Sequence, residues 1–126
     1  REPKSDAVLA WIESSGARFV VSEWSVTEFA SAAAIKVRTG EITAALAKQA
    51  RTRFLDFAQK HCSIAAPGRA EFRRGAELAG DAARKLRAGD ALHLAIAEAT
   101  KVQSILCLDE VMSGSAKAIG LSVVTV

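Results

Sequence analysis

Cysteine is scarce in this chain, and the scarcity sets a first limit. Cys62 and Cys107 are the only two in 126 residues. They lie far apart, with no C-x-x-C spacing and no paired histidines nearby, so a four-ligand zinc site cannot be assembled from them and reduced, packed thiols are expected. Long apolar runs are also lacking. None reaches the roughly 18 residues a membrane span requires, and Arg1, Glu2, Lys4 and Asp6 at the start argue against a secretory signal. A soluble, cytoplasmic protein with no membrane partner is the expectation. No phosphate-binding glycine-rich loop or dinucleotide fingerprint appears, which weakens the case for a different α/β enzyme or a response-regulator-like switch. Aromatic residues do not gather as they do on RNA-recognition sheets, so Trp11, Trp24 and the five phenylalanines are expected in a core or an interface.

What is present points to one compact domain over residues 1–126. Half of the residues are hydrophobic, enough for a sizeable core at this length, and no repeat, low-complexity tract or linker-like segment divides the chain. The net charge of +3 permits an RNA or acidic protein partner without requiring either.

Periodicity predicts an α/β order. Pro3 to Ser15 reads as a helix stopped by Gly16, and Arg18 to Ser22 as a short buried strand. Val26, Phe29, Ala30, Ala33 and Val37 recur at helical spacing up to Gly40, and Ile42, Leu46, Ala50, Phe54 and Phe57 do so in a second helix, so a helical hairpin burying both stripes is expected. Cys62 to Ala66 is a weaker strand. Phe72, Ala76 and Ala79 suggest the apolar stripe of a further helix ending near Gly80 or Asp81. Ala91 to Ala99 is so apolar that other elements must cover it. Ser104 to Leu108 reads as a buried strand, Ser115 to Ile119 as a short helix, and Leu121 to Val126 as a last strand. Strands alternating with helices imply parallel pairing, with sites at the carboxyl ends of the strands.

Three acids stand in such places: Glu28 after the first strand, Asp90 at the start of the most apolar helix, and Asp109 where the strand from Ser104 runs out. Each also has a structural reading. Ser25-Val26-Thr27-Glu28 matches a capping box, Asp90 after Gly89 suits an N-cap, and Asp109 beside Glu110 suits a turn. The residues around the acids carry more information. Leu86-Arg87-Ala88-Gly89-Asp90-Ala91-Leu92-His93-Leu94-Ala95-Ile96-Ala97 resembles the segment bearing the third acid of PIN domains. Leu106-Cys107-Leu108-Asp109-Glu110 resembles their next strand with its terminal Asp, and Ser22 to Ala30 the segment of the second acid. The chain thus resembles PIN-domain ribonucleases, and within them the VapC-type toxins of toxin–antitoxin (VapBC) pairs, over essentially Pro3 to Val126.

The resemblance implies a three-layer α/β fold with a central parallel sheet flanked by helices. It also implies that a strand central to that sheet, ending in a further Asp, precedes residue 1. Asp6 lies within the first helix and does not take that role. Glu28, Asp90 and Asp109 become metal ligands and catalytic groups for Mg²⁺ or Mn²⁺, hard cations suited to carboxylate oxygens, that serve hydrolysis of RNA. A homodimer restrained by a cognate antitoxin is implied as well. An inactive PIN-like module that binds RNA or protein is the alternative.

The basic residues Arg69, Arg73, Arg74, Arg84, Lys85 and Arg87 flank the Asp90 segment and suit RNA phosphates or, equally, a solvated surface. Arg87, Arg84 and Lys85 are the RNA-binding candidates, with Arg87, three residues from Asp90, foremost. His93 reads better as a packed residue than as a ligand, and Ser22 as a cap or strand end.

Overall fold

A computed structural model describes residues 5–16, 19–102, 104–106 and 110–124. Six helices and four short strands follow one another: α1 (Ser5–Ser15), β1 (Phe19–Ser22), α2 (Glu23–Arg38), α3 (Ala44–His61), β2 (Cys62–Ala65), α4 (Arg69–Gly80), a 3₁₀ turn (Ala82–Arg84), α5 (Ala88–Ala99), β3 (Ser104–Leu106), α6 (Glu110–Ala118) and β4 (Ser122–Val124). The helix-rich α/β class expected from the sequence is the one found. The expected boundaries at Pro3, Arg18, Cys107 and Leu108, and at Thr125 and Val126, fall outside the described residues.

Local chemistry explains most of the boundaries. Ser22 ends β1 and caps α2, its Oγ accepting a hydrogen bond from the Ser25 amide at 3.0 Å, so α2 starts earlier than its apolar stripe indicated. Thr43 caps α3 by accepting from the Leu46 amide at 3.1 Å. Helices α2 and α6 close in the same way. A glycine in left-handed backbone follows each (Gly40, φ 78°; Gly120, φ 95°), and the next amide bonds back into the helix, Glu41 to the Lys36 carbonyl and Leu121 to that of Ala116. Only glycine takes that conformation without a Cβ penalty.

The contacts divide the chain into two compact units, residues 1–18 with 70–126 and residues 19–69. Each holds its own two-stranded parallel sheet. In the 19–69 unit β1 pairs with β2 in the register Phe19 to Cys62 through Ser22 to Ala65. In the other, β3 pairs with β4 from Ser104 to Ser122 through Leu106 to Val124. The parallel pairing is as expected. One continuous central sheet is not seen among the described residues, because no described strand hydrogen-bonds to the second edge of either pair.

The unit containing 70–126 has a true core. Leu94 of α5 is fully buried in a cluster with Leu78 of α4, Leu86, Met112 and Ala116 of α6, and Leu121, flanked by Val102, Ile105, Ile119 and Val123. The predicted covering of α5 is borne out: Ala91, Leu92, Leu94, Ala95, Ile96 and Ala97 are all buried. Gly75 lets α4 approach α5 closely, since a Cβ there would sit 3.4 Å from the Leu92 backbone. For α4 the expected stripe is corrected. Leu78 and Gly75 face the core and Ala79 packs against it as expected, while Phe72 is 54% exposed and Ala76 also lies outward. Gly75 and Leu78 are three apart, and a glycine contributes nothing to a hydrophobicity pattern although it marks the buried side here.

The 19–69 unit is a helical hairpin on a strand pair. Phe29 of α2 stacks on Phe54 of α3 with ring centroids 4.5 Å apart and an interplanar angle of 10°. Burial of the two stripes is far less complete than expected. Ala33, Ala47 and Ala58 are buried on α2 and α3, whereas Leu46 is 49% exposed and Phe29, Phe54 and Phe57 are only half-buried. No helix among the described residues is long and apolar enough to cross a membrane.

Candidate active site

The structure removes one bland explanation from each of the two acids it describes. The N-cap of α5 is Arg87, which has no side-chain acceptor and makes no capping bond. Asp90 stands three residues further on, inside the first turn, so the N-cap reading of Asp90 does not hold. Its side chain is half-buried. Among the described residues it makes no ion pair or side-chain hydrogen bond. An acid in a first helical turn is favoured by the helix dipole, but Asp90 is not spent on a neighbouring cation there.

Glu28 is likewise no capping-box acid. The cap of α2 is Ser22, and the residue three beyond it is Ser25, whose Oγ lies 3.3 Å from that of Ser22. Ser22, 3% exposed, is thus a strand-end cap, one of the two roles expected of it. Glu28 lies past the first turn, half-buried and engaged by an interaction of its own. Helical spacing puts it on the flank of Trp24 and Ile35, away from the Phe29 and Ala33 side that meets α3. The indole Nε1 of Trp24 on that flank is buried without a hydrogen-bond partner among the described residues.

Asp109 lies outside the described residues. Among the described residues no three His, Cys, Asp or Glu side chains gather as a ready metal cage. His93, one turn beyond Asp90, is half-buried and already engaged within the fold, in keeping with its packed reading. In chemical terms the candidate donors are all carboxylates, a set that fits hard divalent cations and not thiophilic ones.

The basic candidates divide by what already holds them. Arg84 is half-buried with Nε 3.3 Å from Oδ2 of Asp81, the aspartate that also caps the 3₁₀ turn by accepting from the Ala83 amide at 3.1 Å. Lys85, in left-handed backbone at φ 57°, and Arg87 are exposed, leading directly into α5. Arg74 is committed elsewhere. Its guanidinium donates to Glu98 of α5 at 2.8 and 3.2 Å and to Glu77 at 3.1 Å, bonds that raise its pKa above the ordinary arginine value. Sequence spacing gave no sign of that clamp, since Arg74 and Glu98 belong to different helices.

The comparison with protein families brings one finding: the model of the PIN domain matches residues 1–123. A comparison with curated proteins gives no match.

Proposed function

Since the chain belongs to the PIN-domain family, whose members are in general metal-dependent nucleases, we propose that residues 1–126 form a single PIN domain acting as an endoribonuclease, the toxin of a type II toxin–antitoxin pair. In this reading Glu28, Asp90 and Asp109 are the ligands of Mg²⁺ or Mn²⁺. The observation that supports it best is Asp90, placed by the segment Leu86 to Ala97 in the first turn of a rigidly buried helix with no described cation to neutralise it. A divalent ion held by these carboxylates supplies charge neutralisation at the phosphate and a water of lowered pKa.

The chain's own side chains do the rest. Rigid packing of Ala91, Leu92 and Leu94 fixes the Asp90 end of α5, so its carboxylate is presented without reorganisation. Lys85 and Arg87, exposed just before that helix, bind and orient RNA phosphates, Arg87 through a planar guanidinium that pairs two phosphate oxygens at once. Arg84, tied to Asp81, fixes the turn that carries them and contributes to RNA binding more weakly. An RNA substrate, a cognate antitoxin, a second copy in a homodimer and a cytoplasmic location complete the proposal.

The test is cleavage of mixed cellular RNA by the complete gene product with Mg²⁺ or Mn²⁺, against a chelator control. Asp90→Asn keeps size and shape but loses the charge, and activity should fall at least about a hundredfold, as when a group holding the reacting centre is lost. Wild-type rates in that variant would sink the ligand assignment. No cleavage by folded, antitoxin-free protein with either metal would favour the binding module instead.

A further inference from the structure

The outward face of α4 has a composition that core packing does not explain. Phe72 is 54% exposed, and at helical spacing it is bordered by Arg69, which opens the helix, and by Arg73 and Ala76, all exposed. No ion pair joins Arg69 or Arg73 to an acid among the described residues. The acids of α4 are turned aside. Glu77 is held by Arg74, and Glu71 is half-buried on the flank that borders α5, where it shares a shallow hollow with Ala70, Arg74, Ala95, Glu98 and Ala99. What remains is a large exposed aromatic ring with two cations along one flank of it and no acid between them on this face.

A lone exposed phenylalanine is ordinary on a protein surface, but Phe72 beside two cations that pair with no acid among the described residues offers an apolar ring face and positive charge together. An acidic protein helix would find cations here, but a flat ring with two guanidiniums along one flank matches a more specific chemistry: a base stacks on the ring while neighbouring phosphates of the same strand pair with arginine. We infer that the Arg69–Phe72–Arg73 face of α4 is an anchoring site for single-stranded RNA, separate from the Asp90 end of α5. The separation follows from the helix pairing. Gly75 meets Leu92, and Arg74 meets Glu98, so α4 and α5 run antiparallel and Phe72 lies toward the Ala99 end of α5. From Asp90 to that end is about 14 Å along the helix at 1.5 Å per residue. A strand must therefore be several nucleotides long to touch both places, and the anchor selects for length and single-strandedness, not for the bond to be cut. This rests on the nuclease reading only for the identity of the polymer.

The experiment measures equilibrium binding of a fluorescein-labelled single-stranded oligoribonucleotide to the complete protein by anisotropy, in chelator so that nothing is cleaved. Phe72→Ala should weaken binding roughly five- to a hundredfold, the loss of one stacked base. Phe72→Leu, which keeps apolar bulk, should lose nearly as much, and duplex RNA of the same length should be bound alike by all three proteins. Arg69→Gln with Arg73→Gln should lower the slope of log affinity against log salt by about 1.4, about 0.7 per single-strand phosphate contact. Circular dichroism should be unchanged, because none of the three positions supports the core. Unchanged RNA affinity and salt slope in a protein whose wild type cleaves RNA overturn the anchor alone. Wild type that neither binds nor cleaves RNA overturns the anchor and the nuclease together. If labelled oligoglutamate loses affinity in these variants while RNA keeps it, the face serves an acidic protein and the inference falls.

Discussion

The two units of this chain solve the same packing problem with different materials. In the 70–126 segment, leucine, methionine and alanine side chains from α4, α5 and α6 meet in one buried cluster. In the 19–69 unit the buried hydrophobic positions are alanines, and the large apolar side chains stay in partial contact with water: Val20 is 39% exposed, Ile35 47%, Leu46 49% and Leu55 38%. Burial stabilises by roughly 25 cal/mol per Å² of apolar surface, so the first unit gains far more per residue than the second. The second depends on helix propensity, its Ser22 and Thr43 caps and one aromatic stack. A fold can thus hold one acid, Asp90, on a rigid helix and another, Glu28, on a helix whose surroundings are only half packed.

The largest effect by which to break this comparison comes from truncating matched leucines. Leu94→Ala opens a cavity where the side chain is fully buried and should cost about 3–5 kcal/mol, seen as a shift of the urea midpoint with unchanged slope. Leu46→Ala, at 49% exposure, should stay within about 0.5 kcal/mol. Equal losses would show that the 19–69 unit has a core after all and that its exposed side chains are covered in solution.

How far the sequence reveals this arrangement depends on what kind of interaction decides each element. The ends of α2 and α6 were legible because Gly40 and Gly120 act locally. The burial of α5 was legible because Ala91 to Ala99 has almost nothing polar to expose. Position 72 was misread, because a phenylalanine at helical spacing from two alanines looks like a core stripe, and only the contact of Gly75 with Leu92 shows which side of α4 is inward. The Arg74–Glu98 clamp was invisible for the same reason, being set by the crossing of two helices. Among the site residues, the wording around Asp90 singled it out, while its freedom from capping duty depended on where α5 begins. That follows from the Arg87 backbone (φ −77°, ψ 159°) and from no sequence rule.

A smaller effect sharpens the contrast at the α4–α5 crossing. At Gly75 a methyl group would meet the Leu92 backbone at ordinary contact distance, 3.4 Å and beyond. Gly75→Ala should therefore be neutral or stabilising by up to about 1 kcal/mol through helix propensity. Gly75→Leu has no room to turn aside from a backbone and should cost about 1–3 kcal/mol as overpacking. Thermal unfolding of the pair measures both. If leucine is accepted as easily as alanine, the crossing is looser than the buried cluster beside it requires.

The smallest effect, a rate without a stability change, tests the less packed unit from inside. Cys62 ends α3 and begins β2, half-buried, and burial pushes its thiol pKa above the ordinary cysteine value. The thiolate is the reactive form, so a raised pKa means less thiolate at any given pH, and the alkylation rate should keep rising with pH beyond the point where an unperturbed thiol levels off. Iodoacetamide labelling followed peptide by peptide in a mass spectrometer reads Cys62 separately from Cys107. A profile displaced upward means that β2 stays closed on β1 despite the sparse core around it. A profile matching a free thiol means that the strand pair opens faster than it is labelled. In that case the half-buried side chains of α2 and α3 would reflect a unit that opens locally, and the position of Glu28 would be set only when something else binds.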